Sequence, residues 1–264
     1  MPNRLYVLLF LTSHVGVGQQ LMVCEDKRLP APDSVLVFAP HEYRSDARYP
    51  VVFLLHGWSG NYKQWNTITD LKLAATKHKF IIVCPDGFYN SWYVNSPIVE
   101  TSQFQSFFFD NLLPRVFSSW RVDTTNVFIS GLSMGGFGAV SLFLSRPDLF
   151  KAAGSTSGIL DLSRFADKFD MHKVLGQYSE SRRNYDALSL MTRVQNASLV
   201  GKTIIIDCGT DDPAYGANQA FYDRCKALKI NAMFISQPGS HSREYWRKSI
   251  QQHLFMFSQL VKQE

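Results

Sequence analysis

The 264 residues are enough for one large domain, and 45% hydrophobic against 19% charged residues allows a sizeable buried core, which excludes a disordered or fibrous chain. The formal net charge is +5, and the 27 basic residues are scattered. Only Arg182-Arg183 and Arg243/Arg247-Lys248 cluster, with no basic stripe interleaved with aromatics, so nucleic acid is not an expected partner.

At the start, Met1-Pro-Asn-Arg4 is short and positive, Leu5 to Leu11 is apolar, and Gly16-Val17-Gly18 offers small residues. This pattern reads as a secretory signal cleaved near Gly18, residues 1–18, rather than a buried first strand. The run is too short to span a membrane, so no stable membrane insertion is expected. The mature chain, residues 19–264, is then a single domain outside the cytoplasm, secreted or periplasmic; without cleavage it would be cytoplasmic. The four cysteines have neither metal-ligand spacing nor the density of a disulfide scaffold. No metal or cofactor is expected. The sequon Asn196-Ala-Ser198 has meaning only in a eukaryotic secretory pathway.

Apolar runs at Ser34–Ala39, Val51–Leu55, Phe80–Cys84, Asn126–Ile129, Thr203–Ile206 and Ala232–Ile235 read as strands. Unbroken apolar strands suit a parallel sheet covered on both faces. Helical patterns fall between them at Phe104–Phe117, Met134–Leu144, Asn218–Leu228 and Arg243–Val261, the second ended by Pro147. The alternation implies an α/β fold, a doubly wound, mostly parallel sheet with helices on both faces. Gly87–Ser102 (aromatic, loop-like) and Ile159–Leu199 (polar, mixed) fit the alternation poorly. Both follow strands, on the side where open α/β sheets bind ligands.

The decisive stretch is Asn126-Val-Phe-Ile-Ser-Gly-Leu-Ser-Met-Gly-Gly-Phe-Gly138. Within it Gly131-Leu-Ser-Met-Gly135 is G-x-S-x-G, entered by an apolar strand and left by an Ala/Leu/Phe-rich helix. That is the context of the α/β-hydrolase nucleophile elbow, where small flanking residues let a strained serine turn sharply. Ser133 is the expected nucleophile. It needs a base and an orienting acid, in the order Ser…Asp/Glu…His. His172 comes before the last two strands and His253 lies inside a helix. His241, in the turn-rich Gln237-Pro-Gly-Ser-His241 after the last strand, is in the right place. The loop Asp207-Cys-Gly-Thr-Asp-Asp-Pro213 supplies the acid: Asp211 and Asp212 are both plausible, and Asp207, still in the strand, is less so. Two backbone N–H groups should form the oxyanion hole, those of Met134 after the nucleophile and Trp58 after the strand ending at Leu55. His56 precedes the serine and is expected to be a structural hydrogen bonder.

These stretches resemble the esterase D-like group of α/β-hydrolases, which includes S-formylglutathione hydrolases, tributyrin esterases and feruloyl esterases. The resemblance covers about residues 31–260. It is carried by Tyr49-Pro-Val-Val-Phe-Leu-Leu-His-Gly57, Pro85-Asp-Gly87 with Ser91-Trp-Tyr93, Gly131-Leu-Ser-Met-Gly-Gly-Phe-Gly138, Arg146-Pro-Asp-Leu-Phe150, Cys208-Gly-Thr-Asp-Asp212 and His241 with Tyr245-Trp246. It implies a triad of Ser133, Asp212 and His241, with oxyanion donors at Trp58 and Met134 and no cofactor. Ser240 departs from the glycine common in relatives. The expected activity is hydrolysis of short-chain or aryl carboxylic esters, acetyl or feruloyl in type, on a small-molecule or oligosaccharide substrate, with Trp92 and Tyr93 as candidate binding residues. The alternatives are an acyltransferase with the same triad and a non-catalytic hydrolase-like binding module. Oligomeric state is open.

Overall fold

The structure is a computed structural model that describes residues 18–261, so the expected signal segment, apart from Gly18, lies outside the described residues. The strands are β1 (Gln20–Cys24), β2 (Asp33–Phe38), β3 (Tyr49–Leu55), β4 (Ile81–Cys84), β5 (Val122–Gly131), β6 (Ala152–Thr156), β7 (Thr203–Gly209) and β8 (Ala232–Gln237). They form one sheet in the order β1-β2-β4-β3-β5-β6-β7-β8. β1 and β2, and β2 and β4, pair antiparallel; every pair from β4 to β8 is parallel.

The helices are α1 (Gln64–Ile68), α2 (Leu71–His78), α3 (Phe104–Phe107), α4 (Leu113–Ser119), α5 (Met134–Ser145), α6 (His172–Leu175), α7 (Tyr178–Ala187), α8 (Leu190–Asn196), α9 (Tyr215–Ala227) and α10 (Arg243–Leu260). Side chains alternate between the two faces of each strand. Val52, Leu54, Phe128 and Ile205 face α1, α2 and α10, where Trp65, Leu71, Ile250 and Phe257 pack on them. Val51, Phe53, Ile129, Ile204 and Ile206 join Phe107, Val116, Phe137 and Phe221 on the opposite face.

Three departures from the sequence reading have physical causes. The helix expected over Phe104–Phe117 contains a π-turn at Phe108–Leu112. Pro114, which cannot donate a backbone hydrogen bond, sits in the first turn of α4, and the wider turn carries the chain past it. Strand β6 reads Ala-Ala-Gly-Ser-Thr and lacks the bulk that marks strands, because α5 and α10 both pack on it. Gly154 leaves room for His253: a Cβ there would lie 2.6 Å from the imidazole Nδ1. Strand β1 is a half-exposed edge whose apolar run is short, Leu21 to Cys24, with Leu21 and Val23 turned outward to solvent. All four cysteines are buried and free.

Candidate active site

Ser133 stands at the junction of β5 and α5 with φ +55° and ψ −115°. A non-glycine residue rarely adopts positive φ, and such strain persists only where its surroundings enforce it. Here they do. The Ser133 N–H donates to the Thr156 carbonyl (3.0 Å), and the Ser133 carbonyl accepts from Ile159 (3.2 Å). The small β6 strand therefore holds the elbow from one side. On the other side the glycines permit contact that any side chain would block: a Cβ on Gly135 would lie 2.2 Å from the Leu55 carbonyl oxygen, and one on Gly131 2.2 Å from that of Gly135.

The loop after β8 brings His241 to the serine, with Nε2 3.0 Å from the Ser133 Oγ. The loop after β7 brings Asp212 to the other ring nitrogen, with Nδ1 2.9 and 3.1 Å from its two carboxylate oxygens. A carboxylate needs a donor, so Nδ1 carries the proton and Nε2 is left to accept one from the serine hydroxyl. The Asp212 side chain is fully buried, whereas 29% of the His241 side chain is exposed. Burial pushes the Asp212 carboxyl up, but the His241 ring and the Ala214 N–H favour the charged form more strongly, and the net result lies below the usual carboxylate value.

The three aspartates of this loop separate cleanly. Asp212 meets His241; Asp211 is exposed, its backbone N–H donating to the Gly239 carbonyl. Asp207 points to the opposite side, where its carboxylate accepts from the Tyr245 hydroxyl.

Across Gly57–Gly60, after β3, one backbone donor is left over. Gly57 N–H is taken by the Gln64 side-chain oxygen (2.8 Å), Ser59 N–H by the Tyr89 carbonyl and Gly60 N–H by the Gly57 carbonyl. Trp58 N–H has no partner among the described residues. At the elbow, the N–H groups of Leu132, Ser133, Gly135 and Gly136 are likewise all engaged, and that of Met134 has no partner among the described residues. Two unpaired donors thus flank Ser133, which is what an oxyanion hole requires.

His56 is a strut. It accepts from Gly87 N–H at Nε2 (2.8 Å), which leaves Nδ1 protonated to donate to the Gly57 carbonyl (2.8 Å). Tyr93 is another: its hydroxyl donates to the His56 carbonyl (2.9 Å). Tyr93 and Trp92 are both fully buried, Trp92 against Phe137, so the structure gives these two binding candidates a place in the core rather than at the surface of the site. The rings that gather around Trp58 are those of Tyr89 and Phe169, with centroids 5.1 and 5.7 Å away. Sequence reasoning missed Gln64 and Thr156, because no motif marks a side-chain amide or a strand-end carbonyl that acts through the backbone.

Comparison with known proteins bears on the family and the fold. The chain is 24% identical over 251 residues to an S-formylglutathione hydrolase of Arabidopsis thaliana, covering 86% of this chain and 87% of that protein. It is 24% identical over 213 residues to an acetyl esterase of Caldicellulosiruptor saccharolyticus, covering 75% and 79% respectively. The solved structure of a ferulic acid esterase superposes with a TM-score of 0.80 at 24% identity, over 92% of this chain and 98% of that one. The fold is that of the α/β-hydrolases. The Esterase family model matches residues 27–257, and the chain belongs to that family: it is a carboxylic ester hydrolase of the esterase D-like group.

Proposed function

We propose that the protein hydrolyses short-chain or aryl carboxylic esters, acetyl or feruloyl in type, through an acyl-enzyme on Ser133. The observation that carries this reading is the chain Asp212–His241–Ser133, with spacings of 2.9 and 3.0 Å, beside two unpaired backbone N–H groups. His241 Nε2 takes the hydroxyl proton as Ser133 Oγ attacks the ester carbonyl. The carbonyl oxygen, now negative, accepts from the N–H groups of Trp58 and Met134. Asp212 stabilises the imidazolium, which then gives its proton to the departing alcohol oxygen. Water enters, loses a proton to His241 and attacks the acyl carbonyl; the acid leaves and Ser133 regains its proton.

The acetyl esterase and ferulic acid esterase among the similar proteins favour acetyl and aryl acyl groups. Trp58 with Tyr89 and Phe169 supports an aryl group near the reacting carbon. The alcohol portion is a small molecule or an acylated oligosaccharide. Secretion after loss of residues 1–18 remains part of the proposal, and N-terminal sequencing of protein from its own host tests it.

A panel of acetyl, butyryl and feruloyl esters, with acylated xylan fragments, tests the substrate. Turnover on at least one, with free acid as product, is the expected result. Ester products when a sugar alcohol is added would instead favour acyl transfer, and no turnover on any would overturn the reading.

A further inference from the structure

On the α10 face of the sheet lies a buried polar group that the mechanism does not use. Tyr245, Ser249 and His253 recur every four residues on α10 and so form one stripe. Beneath that stripe are Ser130 of β5, Gly154 of β6 and Asp207 of β7. Tyr245 is 3% exposed, and Ser130, Asp207, Ser249 and His253 are 0% exposed. The Tyr245 hydroxyl donates to Asp207 Oδ1, and Ser130 Oγ lies 2.9 Å from His253 Nδ1. Burying this much polar surface where apolar residues would pack is costly, so its retention calls for a reason beyond stability.

The contacts of Tyr245 supply one. Its ring lies against Gly239, two residues before His241: a Cβ on Gly239 would fall 2.3 Å from the ring Cδ2. Gly239 has φ +153°, open to glycine alone at this crowding. Its carbonyl passes Gly209 so closely that a Cβ there would be 2.2 Å from the oxygen, and it accepts the Asp211 N–H at 2.9 Å. One peptide group thus ties the His241 loop to the Asp212 loop, clamped between Tyr245 and β7. The neighbouring Trp246 sets its ring perpendicular to that of His241 (centroids 5.1 Å, 89°).

We propose that Asp207 is a positioning residue: by holding Tyr245 it fixes the register of the His241 loop against Asp212. The inference rests on the Ser133–His241–Asp212 reading and adds a residue inside β7 to the determinants of turnover. Its effect is on kcat, because a misplaced base slows the chemical step while leaving the ester-binding surface in place.

The test measures kcat and KM on an ester substrate, with active sites counted by a fluorophosphonate so that unfolded protein is excluded. Tyr245→Phe and Asp207→Ala should lower kcat per labelled site by about 10- to 100-fold with KM within about twofold. Asp207→Asn, which keeps an acceptor for the tyrosine hydroxyl, should restore most of the rate. Ser130→Ala, which cuts the same buried group away from the loop, should lower the thermal midpoint and leave kcat per site unchanged. If Tyr245→Phe lowers only the thermal midpoint, Asp207 is merely structural and the proposal is wrong; should Asp207→Ala not fold, Tyr245→Phe alone decides. Wild-type protein that takes no label at Ser133 would instead count against the triad reading.

Discussion

Ser133, His241 and Asp212 meet on loops beyond the ends of β5, β8 and β7, whereas Ser130, His253 and Asp207 meet inside the molecule, between the sheet and α10. Both sets hold the same three residue types, and both put a serine within 3.0 Å of an imidazole. In the first, Nδ1 faces the carboxylate and Nε2 the serine. In the second the ring is reversed, and its Nε2 stands 3.9 Å from Asp207, beyond hydrogen-bond range. The first histidine reaches solvent and the second is fully buried. The serine of the first is strained at a helix start between two unpaired N–H groups, while that of the second is an ordinary strand residue. On the proposed mechanism, exposure, strain and free donors are what distinguish the reactive trio from the architectural one.

The comparison breaks most visibly at the serines. Ser133→Ala should cut kcat by on the order of 10⁶, because only binding and the oxyanion donors remain. Ser130→Ala should leave turnover per site intact; ester hydrolysis that follows Ser130 instead would reverse the two assignments. The aspartates give the next largest contrast. Asp212→Asn should lower kcat by about 10³ to 10⁴, since an amide cannot hold the imidazolium or enforce its tautomer. Asp207→Asn should cost far less and Asp211→Asn almost nothing, because Asp211 meets solvent. If Asp211→Asn is the crippling change, the hydrogen bonds at His241 have been misassigned.

Gln64→Leu sharpens the account of the loop after β3. Freed of its tie to Gln64, Gly57 N–H no longer fixes the direction of the Trp58 donor. A fall in kcat of roughly tenfold is expected, below the 10²- to 10³-fold cost of losing a donor outright. An unchanged kcat would leave Gln64 without a role in aiming that donor.

The smallest effect concerns pH and belongs to the buried trio. Burial pushes the His253 pKa down to about 3 and that of Asp207 up to about 6, the latter against the pull of the Tyr245 hydroxyl. Unfolded, these groups titrate near 6.5 and 3.9. Between about 6.5 and 3 the unfolded chain therefore binds a proton that folded His253 refuses, and stability falls as pH falls. Folded Asp207 takes up a proton between about 6 and 4 that the unfolded carboxyl lacks, which opposes that loss. Asp207→Asn removes the opposition, so its stability should drop more steeply than that of wild type from about pH 6 to 4, by up to about 1.4 kcal/mol per pH unit. Parallel curves in denaturant titrations would contradict the opposed titration.

The two regions also differ in how they can be read from sequence. The reactive trio is legible because each member follows a strand and sits in a turn with its own signature: the glycines around Ser133, the Pro-Gly before His241, and the aspartate pair before Pro213. Choosing Asp212 over Asp211 took the family resemblance, since a carboxylate's direction out of a loop is set by packing. The buried trio has no such signature. Its members come from β5, β7 and α10, and the space for them is made by Gly154 in a strand too poor in bulky residues to be recognised. Trp92 and Tyr93 were legible as part of an aromatic loop, but whether such rings face a ligand or the core depends on chain turns at positive φ, +53° and +58° here, that composition does not reveal.

The most direct test of the central contrast is to treat the wild-type protein with a fluorophosphonate and map the adduct by peptide mass spectrometry. A single adduct on Ser133, with the Ser130 side chain unmodified and no adduct on the Ser133→Ala protein, is the predicted result. An adduct on any other serine, or one that survives Ser133→Ala, would contradict it.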